Sequence, residues 1–151
     1  MGRRLQTDAD PEGPIFQEML EQEPPIFDGI KLSGTLMEQL VLVANEVGME
    51  GPRLGELLGL PRDEDRVNGD YHLSDDEVVE LHEMSEELLS RIESSLKIDG
   101  DIVEAATDIH PREYSSVEAS EVVYLRVYHK FWMVRDLLDF AIEQDLDIYV
   151  G

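Results

Sequence analysis

The sequence contains no cysteine. That absence excludes disulfides, thiolate catalysis, cysteine-ligated zinc and iron–sulfur clusters, and nothing points to an oxidising compartment. Long hydrophobic runs are missing as well: the longest, such as 40–44 and 131–134, are far shorter than the roughly 20 residues that span a bilayer. No apolar stretch follows the two arginines near the N-terminus, as a secretory signal would require. We therefore expect a cytoplasmic protein.

Positive charge is scarce. Lysine and arginine together number 12 against 35 aspartates and glutamates, which gives a formal net charge of −23. A ligand such as nucleic acid or an anionic membrane requires cations clustered on one face of the protein. We therefore expect no direct nucleic-acid binding and no membrane binding.

Recognisable catalytic motifs are also lacking: the sequence has no P-loop, no G-x-G-x-x-G, no G-x-S-x-G and no H-E-x-x-H. The run 63–70 superficially resembles the start of a calcium loop, but Val67 stands at the fifth position, the glycine falls one place late and Ser74 replaces the glutamate of the twelfth position. No two histidines have the spacing of a metal site. We expect no cofactor, no metal and no catalytic residue. A metal-dependent enzyme remains an alternative, in which His72, His82 or His110 would have to converge with carboxylates.

Hydrophobic residues make up 42% of the chain and recur at helical spacing, which predicts one compact core. The fold class predicted is α+β and predominantly helical, with about four helices. Ser74 followed by Glu77 forms a capping-box pattern at the start of the third one. The last helix is apolar on almost every side and should be central. The predicted helices span 35–47, 52–59, 75–97 and 117–143.

A small sheet is predicted beside these helices. Asp28-Gly29 lies between short apolar runs in 26–32, a pattern typical of a tight hairpin, and 146–150 reads as a strand that joins it. Residues 1–25 are polar and contain prolines, so we interpret them as a flexible acidic N-terminal arm with at most a short helical turn. The predicted single domain is 26–151.

The acidic charge is concentrated in residues 61–108, which hold 16 acidic and 4 basic side chains. Three interpretations stay open: a solvated acidic surface, adaptation to concentrated salt, and complementarity to a basic partner such as a nuclease toxin. The leading hypothesis is a non-enzymatic acidic interaction protein of the immunity or inhibitor type, which binds a basic protein through the carboxylate-rich 61–104 surface. The predicted partner-binding residues are Asp63, Glu64, Asp65, Asp75, Asp76, Glu80, Glu83 and Glu87.

The main alternative is a halophile-adapted protein whose charge serves solubility. Its function would then lie in a small ligand pocket lined by aromatic residues of the last helix. The predicted pocket residues are Tyr124, Tyr128 and Trp132. Oligomeric state is open in either case.

One resemblance to a known family rests on three stretches. They are Asp70 to Leu88, which includes Tyr-His-Leu-Ser-Asp-Asp-Glu, then Ile109-His110-Pro111, and the aromatic final helix that ends in Leu146 to Val150. Together they resemble the C-terminal half of the YfbM-like family of small, acidic bacterial proteins of unknown biochemical activity. The resemblance implies an α+β fold. Because some members look like immunity proteins by gene context, it also implies a non-catalytic role, but it assigns no site residue.

Overall fold

The computed structural model describes residues 3–59, 71–95 and 119–151 of the chain. Within these ranges it contains five helices and four short strands, which confirms the predicted helical α+β class. In chain order the elements are β1 (Arg3–Thr7), α1 (Pro14–Glu21), β2 (Ile30–Leu32), α2 (Gly34–Glu46), α3 (Gly51–Leu57), β3 (Tyr71–His72), α4 (Asp75–Ser95), α5 (Ala119–Gln144) and β4 (Ile148–Val150).

The four strands form one antiparallel sheet in the order β2-β1-β4-β3. Leu5 in β1 lies opposite Ile30 in β2 and Val150 in β4. All three side chains are buried, whereas Lys31, one position along from Ile30, is exposed. This alternation is expected of a sheet that packs one face on the core and leaves the other in water.

The N-terminal strand corrects the prediction of a flexible arm over residues 1–25. β1 lies between β2 and β4 in the sheet, and α1 contributes the fully buried Met19. The sequence signal was weak because a five-residue strand with two arginines shows only one clear alternation, at Leu5 and Thr7. Its pairing depends on partners far away in the chain.

The predicted hairpin at Asp28-Gly29 is also corrected. β2 pairs with β1, and residues 26–27 are not in a strand. The Asp28 carboxylate instead accepts a hydrogen bond of 2.7 Å from the Thr7 backbone amide, while Gly29 adopts a left-handed φ of 75°. The Asp-Gly pair therefore makes a turn, but the turn leads the chain into β2 beside the N-terminal strand.

The bounds of α2, α3, α4 and α5 agree closely with those predicted from the spacing of hydrophobic residues. Local caps explain where two of these helices begin. Ser33 caps α2 by accepting from the Leu36 amide. At the start of α4 the predicted capping box is present: the Glu77 amide donates to Ser74 Oγ, and Glu77 Oε1 accepts from the Ser74 amide. The predicted end of α4 at 97 and the predicted start of α5 at 117 lie outside the described residues.

The core is organised around α5, as its all-round apolar sequence predicted. α5 packs against α4, α2 and β2, and its buried side chains belong to the same apolar cluster as the inner face of the sheet. This arrangement leaves the opposite side of α4 facing water. None of the described helices is both long and apolar enough to cross a membrane.

Candidate functional site

The exposed side of α4 carries most of the predicted partner-binding carboxylates that the structure describes. At about 100° per residue, Asp76, Glu80, Glu83 and Glu87 fall within an arc of about 60°. The buried face of the helix lies on the other side of the axis. We call these four residues the acidic stripe.

The other predicted partner-binding residues do not belong to this stripe. Asp75 lies about 100° around the helix from Asp76, on the side of α4 that faces the end of α5, where it lines a separate groove. Asp63, Glu64 and Asp65 lie outside the described residues. The structure therefore brings together four of the predicted carboxylates and separates a fifth from them.

An arginine from the neighbouring helix holds Glu80 in place. Arg53 of α3 donates from Nε and Nη2 to the two carboxylate oxygens of Glu80, at 2.6 and 2.8 Å, and from Nη1 to Glu56 at 3.1 Å. The hydrogen bonds from Arg53 lower the pKa of Glu80 below its ordinary value. In turn, the carboxylates of Glu80 and Glu56 raise the pKa of the Arg53 guanidinium. The bidentate geometry fixes the orientation of the carboxylate.

Glu87 is held in a similar way within α4. Its Oε1 accepts from Arg91 Nη2 at 2.7 Å, while Arg91 Nη1 donates to the Val47 carbonyl at the end of α2. Among the residues described, Asp76 and Glu83 have no ion-pair partner. The stripe thus combines two carboxylates oriented by arginines with two that have no ion-pair partner within the described part of the chain.

A cleft of about 300 Å³ runs beside the stripe, between α4 and the connection from α2 to α3. Two methionines, three glutamates and one arginine line it: Met49, Met84, Glu50, Glu80, Glu87 and Arg53. Methionines adapt to varied apolar shapes, and long basic side chains pair an apolar stem with a charged head. The cleft therefore has the chemistry to receive a lysine or arginine side chain.

Sequence patterns did not indicate that Arg53, Met49 and Met84 belong to this site. Arg53 lies 27 positions from Glu80, on a different helix. The periodicity of α4 predicts which of its own residues face outward, but no spacing rule predicts which residue of another helix will lie beside them. Only the packing of α3 on α4 brings them together.

The three aromatic residues predicted to line one pocket face different neighbours. The Tyr124 hydroxyl donates to Glu46 of α2, and the Tyr128 hydroxyl donates to Glu93 of α4. The bond to Glu46, together with burial, raises the pKa of Tyr124 to about 12. Trp132 lines a separate cleft of about 300 Å³, between α5 and residues 22–26. The two tyrosines thus link α5 to its neighbours, and only Trp132 is placed at that cleft.

Charged groups around the Trp132 cleft include Arg135, Asp136 and Asp139. Asp136 is partly buried, and this raises the pKa of its carboxyl, against the lowering effect of Arg135. Asp139 also lies 3.5 Å from His82 Nε2, which is 3.6 Å from Glu86 as well. These separations suit an ion pair with a protonated imidazole but are too long for good hydrogen bonds.

Two of the histidines required by the metal-enzyme alternative lie in the described part of the chain, and they do not converge. His72 lies at the sheet edge, 3.6 Å from Asp147, whereas His82 lies between α4 and α5. His110 is outside the described residues. Within the described ranges, no group of three histidine, aspartate or glutamate side chains could hold a metal ion.

Comparisons with protein-family models, with curated proteins and with solved structures found no match for this chain. The resemblance to the YfbM-like family therefore stays a prediction.

Proposed function

We propose that this protein is a non-enzymatic interaction protein of the immunity or inhibitor type, and that its acidic stripe binds a basic protein partner in the cytoplasm. The observation that carries the proposal is the alignment of Asp76, Glu80, Glu83 and Glu87 on one exposed arc of α4. Neither nucleic acid nor a membrane surface is part of the proposal, because both would be repelled by a net charge of −23.

Electrostatic steering is the physical reason for assigning the stripe to a partner. Charges concentrated on one face attract an oppositely charged protein during diffusion and favour the orientation in which the two faces meet. The arginine contacts to Glu80 and Glu87 fix two of the carboxylates before binding, which reduces the side-chain entropy lost in the complex. Asp76 and Glu83 supply the charge that a partner would neutralise.

Adaptation to concentrated salt is the second candidate, because exposed carboxylates also occur away from the stripe. Glu18 and Glu21 on α1 and Glu38 on α2 are all exposed. Distributed acidic charge of this kind keeps a protein soluble when salt screens repulsion. In this case the function would lie elsewhere, and the candidate is the cleft lined by Trp132, the one predicted pocket residue that lies there.

The test compares two charge reversals that alter the net charge equally. Glu83→Lys changes the stripe, and Glu38→Lys changes an exposed glutamate inside α2. Association kinetics would be measured against a panel of small basic nucleases at low and high salt, with acidic proteins of similar size for comparison.

The proposal expects Glu83→Lys to slow association with a binding nuclease by roughly tenfold at low salt, with the difference shrinking as salt rises. Glu38→Lys should have a much smaller effect. If no basic protein of the panel binds, or if both variants slow association equally, the stripe has no specific role and the proposal is wrong.

A further inference from the structure

An apolar groove of about 250 Å³ lies between the first turn of α4 and the end of α5. Val79 and Ile142 line it and are 44% and 43% exposed, so two large apolar side chains lie side by side at the surface in one groove. Two exposed aspartates, Asp75 and Asp145, line the same groove. We call it the α4–α5 groove; its remaining lining residues are Val78, Ala141 and Leu146.

Asp145 ends α5 at a position where glycine is the usual residue and a negative charge is unfavourable. Its φ of 56° is left-handed, and the Leu146 amide donates to the Ala141 carbonyl across it, as in a helix stop that normally uses glycine or asparagine. Its negative charge also lies at the C-terminal end of the α5 dipole, where the last turn has no basic residue. The negative charge of Asp145 is therefore unfavourable at the end of α5, and a role in binding would account for the presence of an aspartate there.

We propose that the α4–α5 groove is a docking site for a segment of a basic protein, which places an apolar side chain between Val79 and Ile142 and a neighbouring lysine or arginine against Asp75 and Asp145. This inference rests on the proposed function, since it concerns the same partner. Charge complementarity selects the occupant, because the groove combines apolar walls with two carboxylates.

A second copy of this chain is a poor occupant by the same reasoning. Each copy carries a formal net charge of −23, so self-association would bring carboxylates towards carboxylates. A purely apolar ligand would leave Asp75 and Asp145 to lose water without gaining a partner, which is unfavourable. A segment with both apolar and basic side chains satisfies both parts of the groove.

The groove and the acidic stripe share α4, so one partner can reach both. Val79, which lines the groove on the side nearest the stripe, lies about 60° around the helix from Asp76. Exposed charges mainly affect the rate of association, whereas buried apolar contacts mainly affect the lifetime of the complex. The stripe would therefore govern how fast the partner arrives, and the groove how long it stays.

The test uses a short peptide of alternating leucine and lysine, with a serine–lysine peptide of equal charge as its control. Binding would be followed by NMR shifts of the backbone amides of this protein. The groove variants are Ile142→Ser and Asp145→Asn. The matched control is Leu42→Ser, because Leu42 is an exposed leucine on α2, at 60% exposure. Thermal unfolding of each variant would verify folding.

The leucine–lysine peptide should shift the amides of Val79 and Ile142 and bind more tightly than the serine–lysine peptide. Ile142→Ser should weaken the affinity about tenfold, which corresponds to about 1.4 kcal/mol, and Leu42→Ser should not change it. Asp145→Asn should weaken binding while raising the melting temperature, because asparagine suits the left-handed turn without the opposing charge. That combination would not arise from damage to the fold.

Three results would overturn the proposal that the groove is a docking site. They are no shift of the amides of Val79 and Ile142, equal binding of the two peptides, and an unchanged affinity in Ile142→Ser. If the groove variants bind normally but Glu83→Lys slows the basic nucleases, only the groove inference fails. If Glu83→Lys has no effect on any basic protein, the proposed function itself fails. The two outcomes are therefore distinguishable.

Discussion

The contact between Arg53 and Glu80 gives the most quantitative prediction, because it fixes part of the acidic stripe and can be removed without disturbing the core. We consider Arg53→Gln, Glu80→Gln and the double variant. Each single change removes one charge and keeps a polar side chain, which has the same length in Glu80→Gln and is shorter in Arg53→Gln. The double-mutant cycle then isolates the interaction between the two groups from their separate effects.

The expected coupling free energy between Arg53 and Glu80 follows from the geometry and the exposure of the pair. Two unit charges about 4 Å apart attract by about 1 kcal/mol in water and by more where water is partly excluded. Both side chains are 38% exposed, so solvent and salt screen the pair, and the entropy of fixing two long side chains opposes it. We therefore expect a coupling free energy of roughly 0.5–1 kcal/mol, towards the upper end because the contact is bidentate.

The pH dependence has a definite sign. Arg53 lowers the pKa of Glu80 below its ordinary value of 4.5, so the folded state favours the ionised carboxylate more than the unfolded state does. The stabilisation is present above that ordinary value and is lost as the pH falls through the lowered pKa. The coupling should therefore be constant near neutral pH and decline only in acid.

The assay is urea unfolding followed by circular dichroism, at neutral and acidic pH and at low and high salt. The cycle should show its coupling at neutral pH and low salt, and a smaller value both in acid and in concentrated salt. A coupling near zero at neutral pH and low salt, or one that persists unchanged in acid, would refute the reasoning. It would also mean that Glu80 is not oriented by Arg53.

Three further predictions concern other elements of the fold. Ser74→Ala should lower the free energy of unfolding by about 1 kcal/mol through loss of the α4 cap, as urea unfolding would show, and an unchanged value would contradict the capping box. Gly51→Ala would place a Cβ 2.5 Å from the Val41 carbonyl oxygen, so we expect destabilisation of about 1–3 kcal/mol and a lower melting temperature; an unchanged melting temperature would show that α2 and α3 can separate. Alkaline titration of tyrosine absorbance should show that the group lost in Tyr124→Phe ionises near pH 12. The bond from Tyr124 to Glu46 stabilises the fold below pH 10 and is lost as the pH rises towards 12, and a lost group that ionises near pH 10 would contradict it.

Local signals in the sequence were sufficient to predict four of the five described helices and the outward face of α4. Ser74 and Glu77 are three residues apart, and their reciprocal hydrogen bonds form within one turn. The outward direction of Glu80, Glu83 and Glu87 follows from the helical period once the buried face is recognised. Each of these inferences needs only residues that are near one another in the chain.

Long-range pairing accounts for the errors in the sheet. β1 is stable as a strand because it pairs with β4, which lies at the other end of the sequence. Asp28 was interpreted through its neighbour Gly29, but its carboxylate bonds to Thr7, 21 positions away. Neither contact leaves a pattern in the nearby residues that would distinguish a strand from an arm or a hairpin from another turn.

The aromatic pocket illustrates the same limit on a single helix. Tyr124, Tyr128 and Trp132 are spaced by four residues, so each turns about 40° further around α5 than the one before. Because α5 is surrounded by other elements, this drift is enough to give each side chain a different neighbour. Spacing predicted a shared face, but the packing determines what that face meets.

The most direct test of the central claim is thermal unfolding by circular dichroism from low to multimolar potassium chloride. If the acidic charge serves to bind a basic partner, the protein should be well folded at low salt, with a melting temperature that changes only slightly as salt rises. If it is unfolded or weakly folded at low salt and strongly stabilised by molar salt, the acidic charge is an adaptation to concentrated salt, and the partner-binding account is wrong.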